Sequence, residues 1–147
     1  MAVRLRLKIQ PIVGTPAPAS SIEAVATVNS GYEADAPEII VPVRLAERLG
    51  LWPSLPEGAC VQTYATAGGP ARLYRVLQGA SVGIQVPDRN LPVETADVVI
   101  NPVIRQVLVS DTLGERLGIV VLKLRAGVWR LADEPSVERP SEIKQLW

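Results

Sequence analysis

The chain contains no histidine and only one cysteine, Cys60. Zinc and copper sites draw on imidazole and thiolate ligands, so no metal centre of those kinds is expected. Without histidine there is also no Ser-His or Cys-His pair to activate a nucleophile. A single cysteine excludes an internal disulfide framework and fits a reducing cytoplasm. No apolar stretch approaches the roughly 18–20 residues that a membrane-spanning helix needs. Arg4, Arg6 and Lys8 interrupt the only apolar run near the start, which argues against a signal peptide. An excess of charge is missing too, with fifteen acidic and fifteen basic residues and a formal net charge of zero. Nucleic-acid binders usually carry a basic excess or stripe, so no nucleic-acid partner is expected. Phenylalanine is absent, and there are one methionine and three asparagines against thirteen prolines. Few thermolabile residues and proline-stiffened loops lean towards a thermophile.

What remains is a chain of 147 residues, 48% hydrophobic, long enough for one domain with its own core. Val3, Leu5, Leu7 and Ile9 alternate with charged or polar neighbours, the period of a strand with one wet face. Further strands are predicted over 22–28, 37–41, 60–66, 71–77, 80–86, 95–100, 106–109, 119–124 and 128–131, with a Pro-, Ala- and Ser-rich turn over 15–21. Leu45, Ala46 and Leu49 make one short amphipathic helix after Pro42, stopped by Gly50. Ser110 or Asp111 caps a second, stopped by Gly118. Closely spaced strands with turn punctuation imply an all-β fold, a barrel or a sandwich with two short helices. The domain is expected over 1–131, and the polar, Pro-containing segment 132–147 as a loosely held tail.

A repeat runs through this pattern. Leu45-Ala46-Glu47-Arg48-Leu49-Gly50-Leu51 and Leu113-Gly114-Glu115-Arg116-Leu117-Gly118-Ile119 are nearly the same heptapeptide. Ala26-Thr27-Val28-Asn29 and Ile39-Ile40-Val41 precede the first, and Val98-Val99-Ile100-Asn101 and Val107-Leu108-Val109 precede the second. The chain thus reads as two strand–loop–strand–helix units with a hairpin between them, tipped by Gly68-Gly69. Tyr64 and Tyr74 flank that tip and are expected to pair across it. Trp129 is expected in the core or at a subunit interface, and Cys60 as a small core residue.

This arrangement resembles the retropepsin-like aspartic peptidases over roughly 21–131. Val28-Asn29-Ser30-Gly31 falls where that family carries its Asp-Thr-Gly or Asp-Ser-Gly loop. Leu108, Val109 and Ser110 fall at its hydrophobic-hydrophobic-glycine segment, with Ser110 in place of the glycine. The hairpin with Tyr64, Gly68, Gly69 and Tyr74 falls at its flap. The resemblance implies a closed β-barrel, a homodimer whose terminal strands pair, a cleft that takes a peptide or protein, and no cofactor. It also exposes a departure. The peptidase reaction needs two carboxyls sharing a proton, and the Asn29 carboxamide cannot take a proton from water at neutral pH. The expected function is therefore peptide or protein binding by a catalytically impaired site. Active endopeptidase is the alternative, if Asn29 replaces a natural aspartate or if Glu33, Asp35 or Glu38 supplies the carboxylate.

Overall fold

Alternation near the start of the chain produces β1 (Arg4–Pro11), whose Leu5, Leu7 and Ile9 are fully buried while Lys8 is exposed. The computed structural model describes residues 2–12, 21–29 and 31–147; the turn predicted over 15–21 and Ser30 fall, Ser21 apart, outside them. Eight more strands and two helices follow. They are β2 (Ile22–Val28), β3 (Glu38–Pro42), α1 (Val43–Arg48), β4 (Cys60–Thr66), β5 (Gly69–Ile84) and β6 (Glu94–Asn101). Then come β7 (Val107–Val109), α2 (Asp111–Arg116), β8 (Ile119–Lys123) and β9 (Val128–Leu131).

Six strands close a barrel in the order β1-β2-β7-β3-β6-β5, with β5 returning to β1. Closure leaves these strands no free edge, which removes the hazard of an open sheet. The interior is filled by Leu5, Leu7, Ile9, Ile39, Leu45, Leu49, Ile100 and Leu113, each no more than 1% exposed. Burial of each such side chain is worth about 1.5–3 kcal/mol. Of the barrel or sandwich expected from the turn-punctuated pattern, the all-β barrel is the fold observed.

The repeated heptapeptides take equivalent places. β2 runs parallel to β7 with Ala26 opposite Val107 and Val28 opposite Val109. β3 runs parallel to β6 with Ile39 opposite Val98 and Val41 opposite Ile100. These two ladders interlock through the antiparallel pair Ile40–Leu108. Leu45 and Ala46 are the buried face of α1, and Leu113 and Gly114 that of α2. Gly50 and Gly118 end the helices at φ 76° and 77°, a region that side chains other than glycine enter at a cost.

Several expectations need correction. The strands predicted over 71–77 and 80–86 are one continuous strand, β5, because a bulge at 77–79 absorbs Gln78 and Gly79 without breaking the ladder to β6. Tyr64 and Tyr74 are not partners: the hairpin register sets Tyr64 opposite Ala71 and Val61 opposite Tyr74. Cys60 is exposed at the start of β4, since that strand lies outside the barrel and pairs only with β5. The segment from Ala132 onward, expected to be loosely held, is tied down along its length. Trp129 and Arg139 exchange two backbone hydrogen bonds, Glu142 N–H donates to Arg4 O, and Trp147 N–H donates to Arg105 O. Val25 N–H donates to the Gln145 side chain at 2.8 Å. The Arg139 guanidinium grips Asp88 through two bonds of 2.8 and 2.9 Å and also bonds the buried Glu134. Arg139 and Arg89 hold Glu134 ionised down to about pH 2. Paired charges, invisible as a pattern in sequence, therefore anchor this segment together with Trp147, which packs against the core.

Candidate functional site

Between the β4–β5 hairpin and the mouth of the barrel lies a cleft of about 850 Å³. The hairpin supplies its roof, because β4 pairs with nothing but the first half of β5 and so projects beyond the barrel. Tyr64, Gly68 and Gly69 line that roof. Gly69 sits at φ 106°, as a tight turn requires. Ile40 and Leu108, the pair that joins the two units, line the floor with Leu73 and Ile104.

Asn29 follows β2 directly and borders the cleft. Its Oδ1 accepts a hydrogen bond from Gly31 N–H at 3.0 Å, closing a local turn. Gly31 also lines the cleft. A second, smaller cavity of about 290 Å³ lies on the other side of Asn29, against Ser110, Asp111 and β8. Of the second-unit segment, only Leu108 reaches the main cleft. Val109 is fully buried, and Ser110 is buried as the cap of α2, accepting from Leu113 N–H and Glu38 N–H. Tyr74 does not line the cleft; its ring packs edge-on against Trp52 at 5.0 Å.

The carboxylates considered as substitutes for aspartate separate clearly. Glu33 lines the cleft and is exposed, and Asp35 is exposed without lining it. Glu38 is buried and committed elsewhere. Its Oε2 accepts from the Tyr32 hydroxyl at 2.5 Å, and its Oε1 lies 3.2 Å from Arg75. Arg75 in turn bonds Asp97 at 2.5 and 3.1 Å and Gln62 at 3.0 Å, while Gln78 N–H donates to Asp97 at 2.7 Å. Burial, then the hydrogen bond to Glu38, pushes the Tyr32 phenol far above its usual range. Tyr64, whose hydroxyl makes a long 3.5 Å contact with Glu38, is pushed up to about 12 by burial and that negative charge. Both phenols stay protonated at any physiological pH, so they are donors and not bases.

Two features escaped sequence reasoning. Asn101 borders the same cleft as Asn29, and its place in the repeat was the available signal. The Tyr32–Glu38–Arg75–Asp97 network was signalled only by charges standing alone among β-branched residues, as in Asp97-Val98-Val99-Ile100. No group of three or more His, Cys, Asp or Glu that could hold a metal ion occurs among the described residues. No described helix is long and apolar enough to cross a membrane. Compared with protein-family models and with curated proteins, the chain matches none.

Proposed function

We propose that this chain is a non-catalytic relative of the retropepsin-like peptidases that binds an extended peptide, free or within a protein, beneath the β4–β5 hairpin. The observation that carries this reading is the chemistry of the cleft. It is mostly apolar, the Asn29 carboxamide borders it, and its only carboxylate among the described residues is the exposed Glu33. A positioned acid or base contributes on the order of 10²–10⁴-fold, and a site lacking both loses more than either alone. The proposal includes a homodimer with the Asn29 loop at the boundary. The outer edge of β8 supports it: that edge is unpaired among the described residues, carries the exposed Val121 and Leu122, and borders the cavity next to Asn29. Unpaired strand edges are templates for pairing with another chain.

The reading predicts that apolar peptides bind without being cut at pH 4 or pH 7. Mass spectrometry of peptide mixtures after long incubation checks this, and any turnover by the wild-type chain would sink it. Asn29→Asp restores two carboxyls across a dimer and is expected to bring slow, pepstatin-sensitive cleavage at acidic pH. Light scattering that shows a strict monomer at micromolar concentration would remove the dimer.

A further inference from the structure

Asn29 and Asn101 are counterparts. Val28 and Ile100 hold matching places in the two parallel ladders, and each asparagine comes next in its chain. Their side chains also behave alike. Asn29 Oδ1 accepts from the N–H two residues on, Gly31, at 3.0 Å, and Asn101 Oδ1 accepts from the N–H two residues on, Val103, at 2.9 Å. Only the oxygen of a carboxamide can accept, so both amide orientations are fixed and each Nδ2 is turned away from its own loop. Neither Nδ2 donates to any described residue. Both side chains border the main cleft, and Asn101 is only 8% exposed. Asn101 Nδ2 is nevertheless not sealed off, so its two donors are open to water or to an acceptor on a ligand.

We infer that Asn29 and Asn101 of one chain form a paired donor site for the carbonyl oxygens of the bound ligand. The inference rests on the peptide-binding reading above and gives it a ligand chemistry. Among the described residues no lysine or arginine lines the cleft, and Glu33 adds negative charge, so phosphate and carboxylate groups are disfavoured. Neutral acceptors flanked by apolar side chains suit the donors and the Ile40, Leu73, Ile104 and Leu108 walls. A peptide main chain with small aliphatic side chains meets both demands. The pair is complete within one protomer, so binding does not need the partner's Asn29.

The test uses the full chain, labelled with ¹⁵N, and the capped peptide acetyl-Ala-Val-Leu-Val-Ala-Leu-amide at pH 7.5. Three asparagines make the side-chain amide signals assignable. The peptide is expected to shift the NH₂ signals of Asn29 and Asn101 and to leave that of the exposed Asn90 in place. Asn29→Asp and Asn101→Asp keep the oxygen that closes each turn but lose the donor, and each is expected to weaken binding about tenfold. Asn90→Asp should bind as the wild type does. Peptide that perturbs cleft resonances while the Asn101 amide stays still and Asn101→Asp binds normally would overturn the donor pair alone. Absence of any cleft perturbation would overturn the peptide reading and the inference with it. If Asn101→Asp fails to fold by circular dichroism, the wild-type amide shifts decide.

Discussion

Nine residues, 29–37, separate Val28 from Glu38 in the first unit, whereas five, 101–105, separate the matching Ile100 and Gln106 in the second. The strands and helices on either side keep matching registers, so the extra length is confined to the loop. That length is used to cross to the other unit. Ala34 N–H donates to Asp111 Oδ1 at 3.0 Å, Asp111 N–H donates to Tyr32 O at 3.0 Å, and the Thr112 hydroxyl donates to Ala34 O. The short loop turns through Asn101 and Val103, and its Arg105 bonds Trp147 instead. The same contrast appears one step later. Glu38 is buried in an ion pair, while its counterpart Gln106 accepts a 3.2 Å hydrogen bond from the Thr27 hydroxyl. The two strand–loop–strand–helix segments thus differ, one connection being a short turn and the other leading into the polar strut under the cleft.

The largest expected effect comes from removing the strut. Arg75→Met strands the carboxylates of Glu38 and Asp97, which are 3% and 6% exposed. Breaking such a pair costs about 3–5 kcal/mol, whereas Gln106→Ala in the other unit is expected to cost about 1 kcal/mol or less. Urea denaturation of the two variants measures the difference, and equal losses would erase the contrast.

A smaller effect distinguishes the helix caps. Ser110 accepts from Leu113 N–H, while its counterpart Pro42 makes no side-chain cap bond. Ser110→Ala is expected to cost about 1–2 kcal/mol and Pro42→Ala a few tenths, read from thermal melts. The smallest effect is in acid. Backbone N–H donors, that of Ala34 first, hold the Asp111 carboxyl below its ordinary value of 3.8. A depressed carboxyl stabilises the fold fully above that value and loses its contribution as pH falls through the shifted one. Protection of the Ala34 amide relative to its intrinsic exchange rate should therefore fall as pH drops below about 3.8, and Asp111→Asn should flatten that dependence.

Those loops also mark where reading the sequence ran out. Period-2 alternation in β1 and the closely spaced, turn-punctuated strands were enough for an all-β fold, though not for barrel over sandwich, because core burial is written directly into apolar spacing. Asn29 and the glycines at the hairpin tip were legible because each type has a narrow set of uses at such positions. The Glu38–Arg75–Asp97 network was not, since it joins β3, β5 and β6 across long separations that no local pattern records. Tyr74 was misplaced for a related reason: hairpin register depends on where the turn closes, and a shift of pairing moves a side chain to other neighbours. The anchored stretch after Ala132 was hidden because polarity reads as solvation until the partner charges are known.

β5 runs without interruption from the tip of the hairpin at Gly69 to Ile84 in the barrel wall. The roof of the cleft and a stave of the barrel are therefore one strand. The bulge at 77–79, where Gln78 sits at φ 47° and Gly79 packs tightly against Val76 and Val98, lies within the stave, below the pairing of Tyr74 to Val76 with β6. The same point is fastened by the Gln78 N–H bond to Asp97. A substitution that displaces the bulge would therefore be felt at both ends of the strand, in the barrel wall and in the hairpin.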